Sequence, residues 1–197
     1  NWETFPEYLE ALEKMPRVMD IATQVPHGSV RAYVMGERGA RNEEPTADDL
    51  IAMAQIVQEG IEAGALGFTS SRTMLHRALD GEPVPGTFAG AEEIIALGRA
   101  VAEAGGGVVE VASDIGLGGL EGNFGTDIEW MRELAGSYGL TVTYALTQAD
   151  RDPQQWRDLL EMSSAPLDGP GRVMAQIAGR PAGLLFGLET SLHPFKM

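Results

Sequence analysis

Residues 46–69, TADDLIAMAQIVQEGIEAGALGFT, carry the unit on which the fold turns. Thr46 can cap a helix, and Asp49 three residues on makes a capping box with Asp in place of Glu. Leu50, Met53, Ala54, Val57 and Ile61 then recur at helical spacing as one apolar stripe. Gly64 stops the helix, and Ala65-Leu66-Gly67-Phe68-Thr69 reads as a buried strand. A helix, a glycine stop and a short apolar strand in succession is the building block of a parallel sheet.

The same unit recurs on the C-terminal side. Ala91 to Ala104 has apolar Ile94, Ile95, Leu97 and Val101, Gly105-Gly106-Gly107 ends it, and Val108-Val109-Glu110-Val111-Ala112 reads as a strand. Thr126 and Glu129 form a capping box for a helix with Ile128, Met131 and Leu134. Gly139 stops it before the strand Leu140 to Leu146. Asp152-Pro153 opens a further helix, with Asp as N-cap and Pro at the first helical position, and Trp156, Leu159 and Leu160 as its apolar face. Arg172 to Ile177 is the next strand. On the N-terminal side, Thr4-Phe5-Pro6-Glu7 starts a helix containing Tyr8, Leu9 and Leu12, and Asp20 to Val25 reads as a strand.

The expectation is therefore five parallel strands near Asp20–Val25, Ala65–Thr69, Val108–Ala112, Leu140–Leu146 and Arg172–Ile177. Long loops run from Gly36 to Pro45, Thr73 to Gly86 and Ile115 to Gly125. Either an open doubly wound sheet or part of a (β/α)8 barrel satisfies this pattern. Gly105-Gly106-Gly107 precedes a strand, whereas a phosphate loop must follow one and open a helix, so the glycines read as a helix stop.

Composition narrows the chemistry. The chain has 197 residues, enough for one domain with a real core, and 44% of them are hydrophobic. The formal net charge of −15 repels nucleic acid and anionic lipid, which are discounted as partners. No run reaches the roughly 18 apolar residues of a membrane span. There is no signal sequence at Asn1-Trp2-Glu3-Thr4 and no initiator Met, as expected of a piece of a longer protein. The absence of cysteine excludes disulfides, thiolate zinc sites and a cysteine nucleophile, and is compatible with a cytoplasmic location. Only three histidines exist, His27, His76 and His193.

Several strings in combination resemble one family. Asn1-Trp2-Glu3-Thr4-Phe5-Pro6-Glu7-Tyr8-Leu9 is similar to the N-W-x-S/T-F-x-E-Y-L helix of N-acyl-D-amino-acid deacylases (D-aminoacylases) of the amidohydrolase superfamily. Val25-Pro26-His27-Gly28-Ser29-Val30-Arg31 is similar to their V-G-H-x-x-L/V-R strand end. Gly64-Ala65-Leu66-Gly67-Phe68-Thr69-Ser70-Ser71-Arg72 matches their G-A-x-G-F-S/T-x-x pattern. The runs Arg77 to Ala89, Gly179-Arg180-Pro181 and His193-Pro194-Phe195 look like a branch of that family. The resemblance implies consecutive parallel βα units, their strands in sequential neighbour order, forming part of a (β/α)8 TIM-type barrel, with residues 1–197 a single α/β segment of about half a barrel. It also implies a divalent metal, usually zinc, and hydrolysis of the amide of an N-acyl-D-amino acid or a related small amide.

The departures are specific. The family's N-terminal His-x-His pair is absent here. Relatives place a metal-binding histidine in a string like T-H-M-R, where this chain has Val109-Glu110-Val111-Ala112-Ser113-Asp114. They carry S-H-H-K on the next strand, where this chain has Thr143-Tyr144-Ala145-Leu146-Thr147-Gln148. The isolated chain is expected to hold no zinc and to be inactive. A non-catalytic α/β module with a packing role is the alternative. The remainder of a parent barrel, or a second copy of the chain, is the expected macromolecular partner.

In a barrel, catalytic groups lie at the C-terminal ends of strands. That rule selects His27 as the candidate metal ligand, able otherwise to act as a structural histidine. Ser71 and Arg72 become candidates for substrate binding, Arg72 for its fork geometry toward a carboxylate, against a loop-fixing ion pair. Glu110, the one carboxylate inside an apolar strand, is the candidate catalytic acid–base or ligand, expected to pair with a cation if buried. Asp114 is a second candidate by the same logic. Gln148, Gln176 and Arg180 offer contacts to a substrate amide, against sealing the barrel mouth. His76, Arg77 and Asp80 sit in a loop suited to a lid. No G-x-S-x-G elbow supports a nucleophilic serine.

Overall fold

The computed structural model describes residues 2–114, 124–148 and 152–179, with the single positions 185, 187 and 189. Five parallel strands form one sheet in the order β1-β2-β3-β4-β5: β1 Val25–Pro26, β2 Gly67–Arg72, β3 Val108–Ser113, β4 Thr141–Ala145 and β5 Arg172–Gln176. Every neighbour in the sheet is the next strand in sequence. A doubly wound sheet must reverse direction at a switch point, so this order is that of a (β/α)8 barrel segment.

Helices connect the strands: α1 Phe5–Glu13, α2 His27–Met35, α3 Glu37–Ala40, α4 Ala47–Glu62, α5 Ala91–Glu103, α6 Phe124–Tyr138 and α7 Gln155–Ser164. The capping boxes at Thr4/Glu7 and Thr46/Asp49 both form. The amide of Thr46, followed by Arg38 and the Thr46 hydroxyl, holds the Asp49 carboxyl down to about 2. Gly64 and Gly139 end α4 and α6 with φ of 110° and 70°, a region that favours glycine. The helix α6 begins at Phe124, two residues before Thr126, so its start is not the Thr126/Glu129 box. Asp152 accepts from the amides of Gln154 and Gln155, and α7 starts at Gln155, two residues later than Pro153 at the first helical position would place it.

Two local differences matter for the site. β1 is confined to Val25–Pro26, although upstream of it the Thr23 carbonyl still accepts one bond from Leu66 N (2.8 Å). Ile21 is 56% exposed there. The second strand runs to Arg72, three residues beyond Thr69, so Ser70, Ser71 and Arg72 are strand residues with fixed facing.

Alternation along the strands separates two faces. Val25, Phe68, Val109, Val111, Val142, Tyr144 and Val173 are buried against the helices, where Met53, Val57, Ile94, Leu97, Ile128, Met131 and Leu134 complete the core. Burial of each such side chain contributes about 1.5–3 kcal/mol. The opposite face corresponds to the barrel interior. Across it, Pro26, Thr69, Glu110, Thr143 and Met174 lie in one register layer, and Ser71, Ala112, Ala145 and Gln176 in the layer nearer the C-terminal ends.

Candidate active site

Glu110 stands on the interior face in the middle of β3. Its Oε2 accepts from Gln24 Nε2 at 3.1 Å, and among the described residues it has no cationic partner. The expectation of a paired cation is thus replaced by an amide. Thr143, its register neighbour on β4, is buried, and among the described residues neither its hydroxyl oxygen nor the buried Gln24 Oε1 has a partner. Buried polar atoms are normally satisfied, so this layer is built to meet a further polar group. In the layer above, Ser71 pairs with Ala112 and Gln176 with Ala145.

The loop after β2 folds back over this face. Asp114 accepts from Thr73 Oγ1 and from Met74 N (2.6 Å), and Thr73 Oγ1 in turn accepts from Leu75 N (3.1 Å). Both Thr73 and Asp114 are buried. This turn returns His76 to the strand it has just left, with Nδ1 2.6 Å from Ser71 Oγ. Beyond it, Arg77 and Pro83 bridge antiparallel, and Asp80 accepts from Glu82 N (3.0 Å), giving the loop a small hairpin. Asn42 anchors its far end by accepting from Gly86 N at 2.8 Å.

His27 points the other way, into the layer between sheet and helices. Its Nδ1 lies 2.9 Å from Ser70 Oγ and its Nε2 2.8 Å from Glu93 Oε1. Arg31 donates to both Glu93 oxygens, at 2.8 and 2.6 Å, and to the Glu43 carbonyl. All three side chains are at most 3% exposed. Burial pushes the Glu93 carboxyl up, but the hydrogen bond and charge of His27, then those of Arg31, outweigh it and leave it below its ordinary value. Gly86, at φ 92°, lies against the imidazole: a Cβ there would come within 2.7 Å of Nδ1. Both ring nitrogens are therefore taken, and neither is open to a metal in this arrangement.

Arg72 also faces the helices. Its Nη2 is 3.2 Å from Asp127 Oδ1 and its Nη1 donates to the Ala89 carbonyl, while Asp127 also accepts from Trp130 Nε1 at 3.0 Å. This is the geometry of an ion pair fixing strand, loop and α6. Gln148 is exposed and donates to the Pro153 carbonyl (3.4 Å), Gln176 is exposed on the interior face, and Arg180 and His193 lie outside the described residues. Of the candidates, then, Ser71, Glu110 and Gln176 share the interior face, Asp114 braces the loop above it, and His27 and Arg72 lie behind the sheet.

Zinc needs about three protein ligands of His, Cys or carboxylate type. Among the described residues no group of three such side chains is placed to hold a metal. The interior positions near the strand ends are Ser, Ala, Ala and Gln, which do not fit a zinc site. Glu93 is not legible as a site residue, and for His76 the sequence offers a place in a lid loop but not its contact with Ser71. Glu93 sits in the acidic first turn of a helix, and His76 reaches Ser71 only through the Asp114 turn. The i, i+4 spacing of His27 and Arg31 was the one available signal that both sought a common anion.

A separate cleft of about 540 Å³ opens beside the β1 edge, lined by Trp2, Phe5, Tyr8, Pro26 and Tyr33 among others. It contains none of the candidate residues, but its lining includes Pro26 at the end of β1 and Gln24, the donor to Glu110.

Comparison with known proteins agrees with this architecture. The chain is 31% identical over 96 residues to an uncharacterized protein of Mycobacterium tuberculosis (strain ATCC 25618 / H37Rv), covering 45% of the chain and 16% of that protein. It is 33% identical over 72 residues to the D-aminoacylase of Alcaligenes xylosoxydans xylosoxydans, covering 36% of the chain and 14% of that protein. Its fold superimposes with a TM-score of 0.62 on the N-acyl-D-glutamate deacylase of Bordetella bronchiseptica, solved with zinc and a phosphonate mimic of the tetrahedral intermediate. The identity is 21%, and the match covers 90% of the chain and 34% of that enzyme. The chain thus spans about a third of the solved deacylase. The model of the amidohydrolase family designated Amidohydro_3 matches residues 1–194, the whole run of βα units just described, and the chain belongs to that family.

Proposed function

We propose that the protein containing this segment hydrolyses the amide bond of N-acyl-D-amino acids or related small amides. Residues 1–197 would form about half of its barrel, in a cytoplasmic enzyme. The observation that carries this reading is Glu110: a carboxylate on the interior face of a family barrel, held by the Gln24 amide and with no cationic partner among the described residues. In that setting it can take the proton of an attacking water and return it to the leaving nitrogen. Ser71, Gln148 and Gln176 would contact the amide, each through neutral hydrogen-bonding groups. The metal implied by the family resemblance finds no ligand set among the described residues, and no step is derived through it.

The test is a hydrolysis screen of N-acetyl-D-amino acids, with amine release as readout, on the protein and on Glu110→Gln. Loss of a general base lowers kcat by about 10²–10⁴-fold, with KM little changed. An undiminished kcat in Glu110→Gln, or no hydrolysis of any N-acyl-D-amino acid, would remove this reading.

A further inference from the structure

We propose that His76, oriented by Ser71, is the group that receives the carboxylate of the N-acyl amino acid. The proposal deepens the amide-hydrolase reading and rests on it for the substrate class. Such a substrate is an anion, and a carboxylate drawn out of water must be met by hydrogen-bond donors. The arginines beside the strand ends do not supply them. Arg31 donates to Glu93 and the Glu43 carbonyl, and Arg72 to Asp127 and the Ala89 carbonyl, both behind the sheet. Arg77 donates to the Gly81 carbonyl inside its own hairpin (3.4 Å). Near the strand ends the interior positions are Ser71, Ala112, Ala145 and Gln176, all uncharged.

His76 stands over that face. Its Nδ1 lies 2.6 Å from Ser71 Oγ, and among the described residues its Nε2 has no hydrogen-bond partner. With the Ser71 hydroxyl donating to Nδ1, the ring proton sits on Nε2. A neutral imidazole then presents an N–H, and a protonated one adds a positive charge. Buried groups set the turn that carries it: Asp114 accepts from Thr73 Oγ1 and from Met74 N (2.6 Å), and Thr73 Oγ1 accepts from Leu75 N (3.1 Å). The backbone of the turn is thus held from the neighbouring strand while the imidazole stays exposed. Glu110 lies one layer deeper on the same face. Like charges repel, so the substrate carboxylate lies toward the loop and away from Glu110. An N-acyl amino acid carries its amide N–H and its carboxylate on one carbon. Ser71 Oγ accepts from the amide N–H while His76 Nε2 donates to the carboxylate, so two adjacent protein groups read two adjacent substrate groups.

The experiment titrates the protein with N-acetyl-D-leucine and with its neutral methyl ester, following binding by ligand-observed NMR and hydrolysis by acetate release in the same samples. The acid should bind about 10–100-fold more tightly than the ester, the worth of one hydrogen bond to a charged group. In His76→Ala the acid should fall to the level of the ester, and in His76→Glu below it, with ester binding unchanged in both. His76 is exposed, so neither substitution removes a buried contact. Equal binding of acid and ester by the unsubstituted protein, or an acid preference kept in His76→Ala, would overturn the proposal. An acid preference that disappears with His76 in a protein that releases no acetate would defeat the functional reading and leave the carboxylate site standing. Acetate release with the acid preference intact in His76→Ala would do the reverse.

Discussion

Glu93→Ala should be among the most damaging single substitutions in this chain. The carboxylate is 3% exposed and receives three charge-assisted bonds, from His27 at 2.8 Å and from Arg31 at 2.8 and 2.6 Å. Net values of roughly 1.5–3 kcal/mol for each such bond sum to about 4.5–9 kcal/mol, an upper bound because the three share one group. Arg31 keeps only the Glu43 carbonyl, and its guanidinium is 2% exposed. Removing one partner of a buried pair costs about 3–5 kcal/mol, against a total stability of about 5–15 kcal/mol. With a urea slope of about 2 kcal/mol/M, a loss of ~4 kcal/mol lowers the midpoint by about 2 M. Replacing both charges, Arg31→Met with Glu93→Leu, should recover most of the loss, because the cost lies in the stranded charge and not in the missing attraction. A loss below about 1 kcal/mol for Glu93→Ala, or a double variant no more stable than the single, would refute this account. The sign with pH follows from the same group. Its folded pKa lies below the ordinary 4.5, so its contribution is fully present above that value and is lost as pH falls through the lowered one. Glu93→Gln should therefore flatten the acid limb of the stability curve.

Arg72→Ala should lower stability by about 1–3 kcal/mol through the Asp127 pair, which is 15% and 14% exposed. In the active protein it should raise KM equally for a free-acid substrate and its neutral ester; a selective loss on the acid would give Arg72 a substrate carboxylate instead. Dialysed against buffered zinc, the 197-residue chain should retain far less than one metal per chain by elemental analysis, since the described residues group no ligand set. One tightly held zinc would refute that. In sedimentation the chain should self-associate at micromolar concentration. β1 and β5 are open edges of the described sheet, with Met174 (43%) and Ile177 (73%) exposed beside the latter. A stable monomer would count against it.

The alternation of helix and strand was determined by the sequence, because its causes are local. Thr46 and Asp49 cap their own helix, Leu50 to Ile61 repeat at the helical period, and Gly64 and Gly139 stop the chain by backbone geometry alone. The helix from His27 to Met35 was not legible, since His27 and Arg31 occupy its buried face and erase the apolar stripe that would announce it. The choice between barrel and doubly wound sheet required the strand order, a long-range property that periodicity does not encode. The facing of site residues depended on where the second strand ends. A strand reaching Arg72 puts Ser71 inside and Ser70 and Arg72 behind the sheet, since side chains alternate at period two. Tertiary structure alone joined Glu93 to His27 across 66 positions and Asp114 to Thr73 across 41. Buried charges must find partners wherever the fold brings them, and the sequence shows that need without showing the partner.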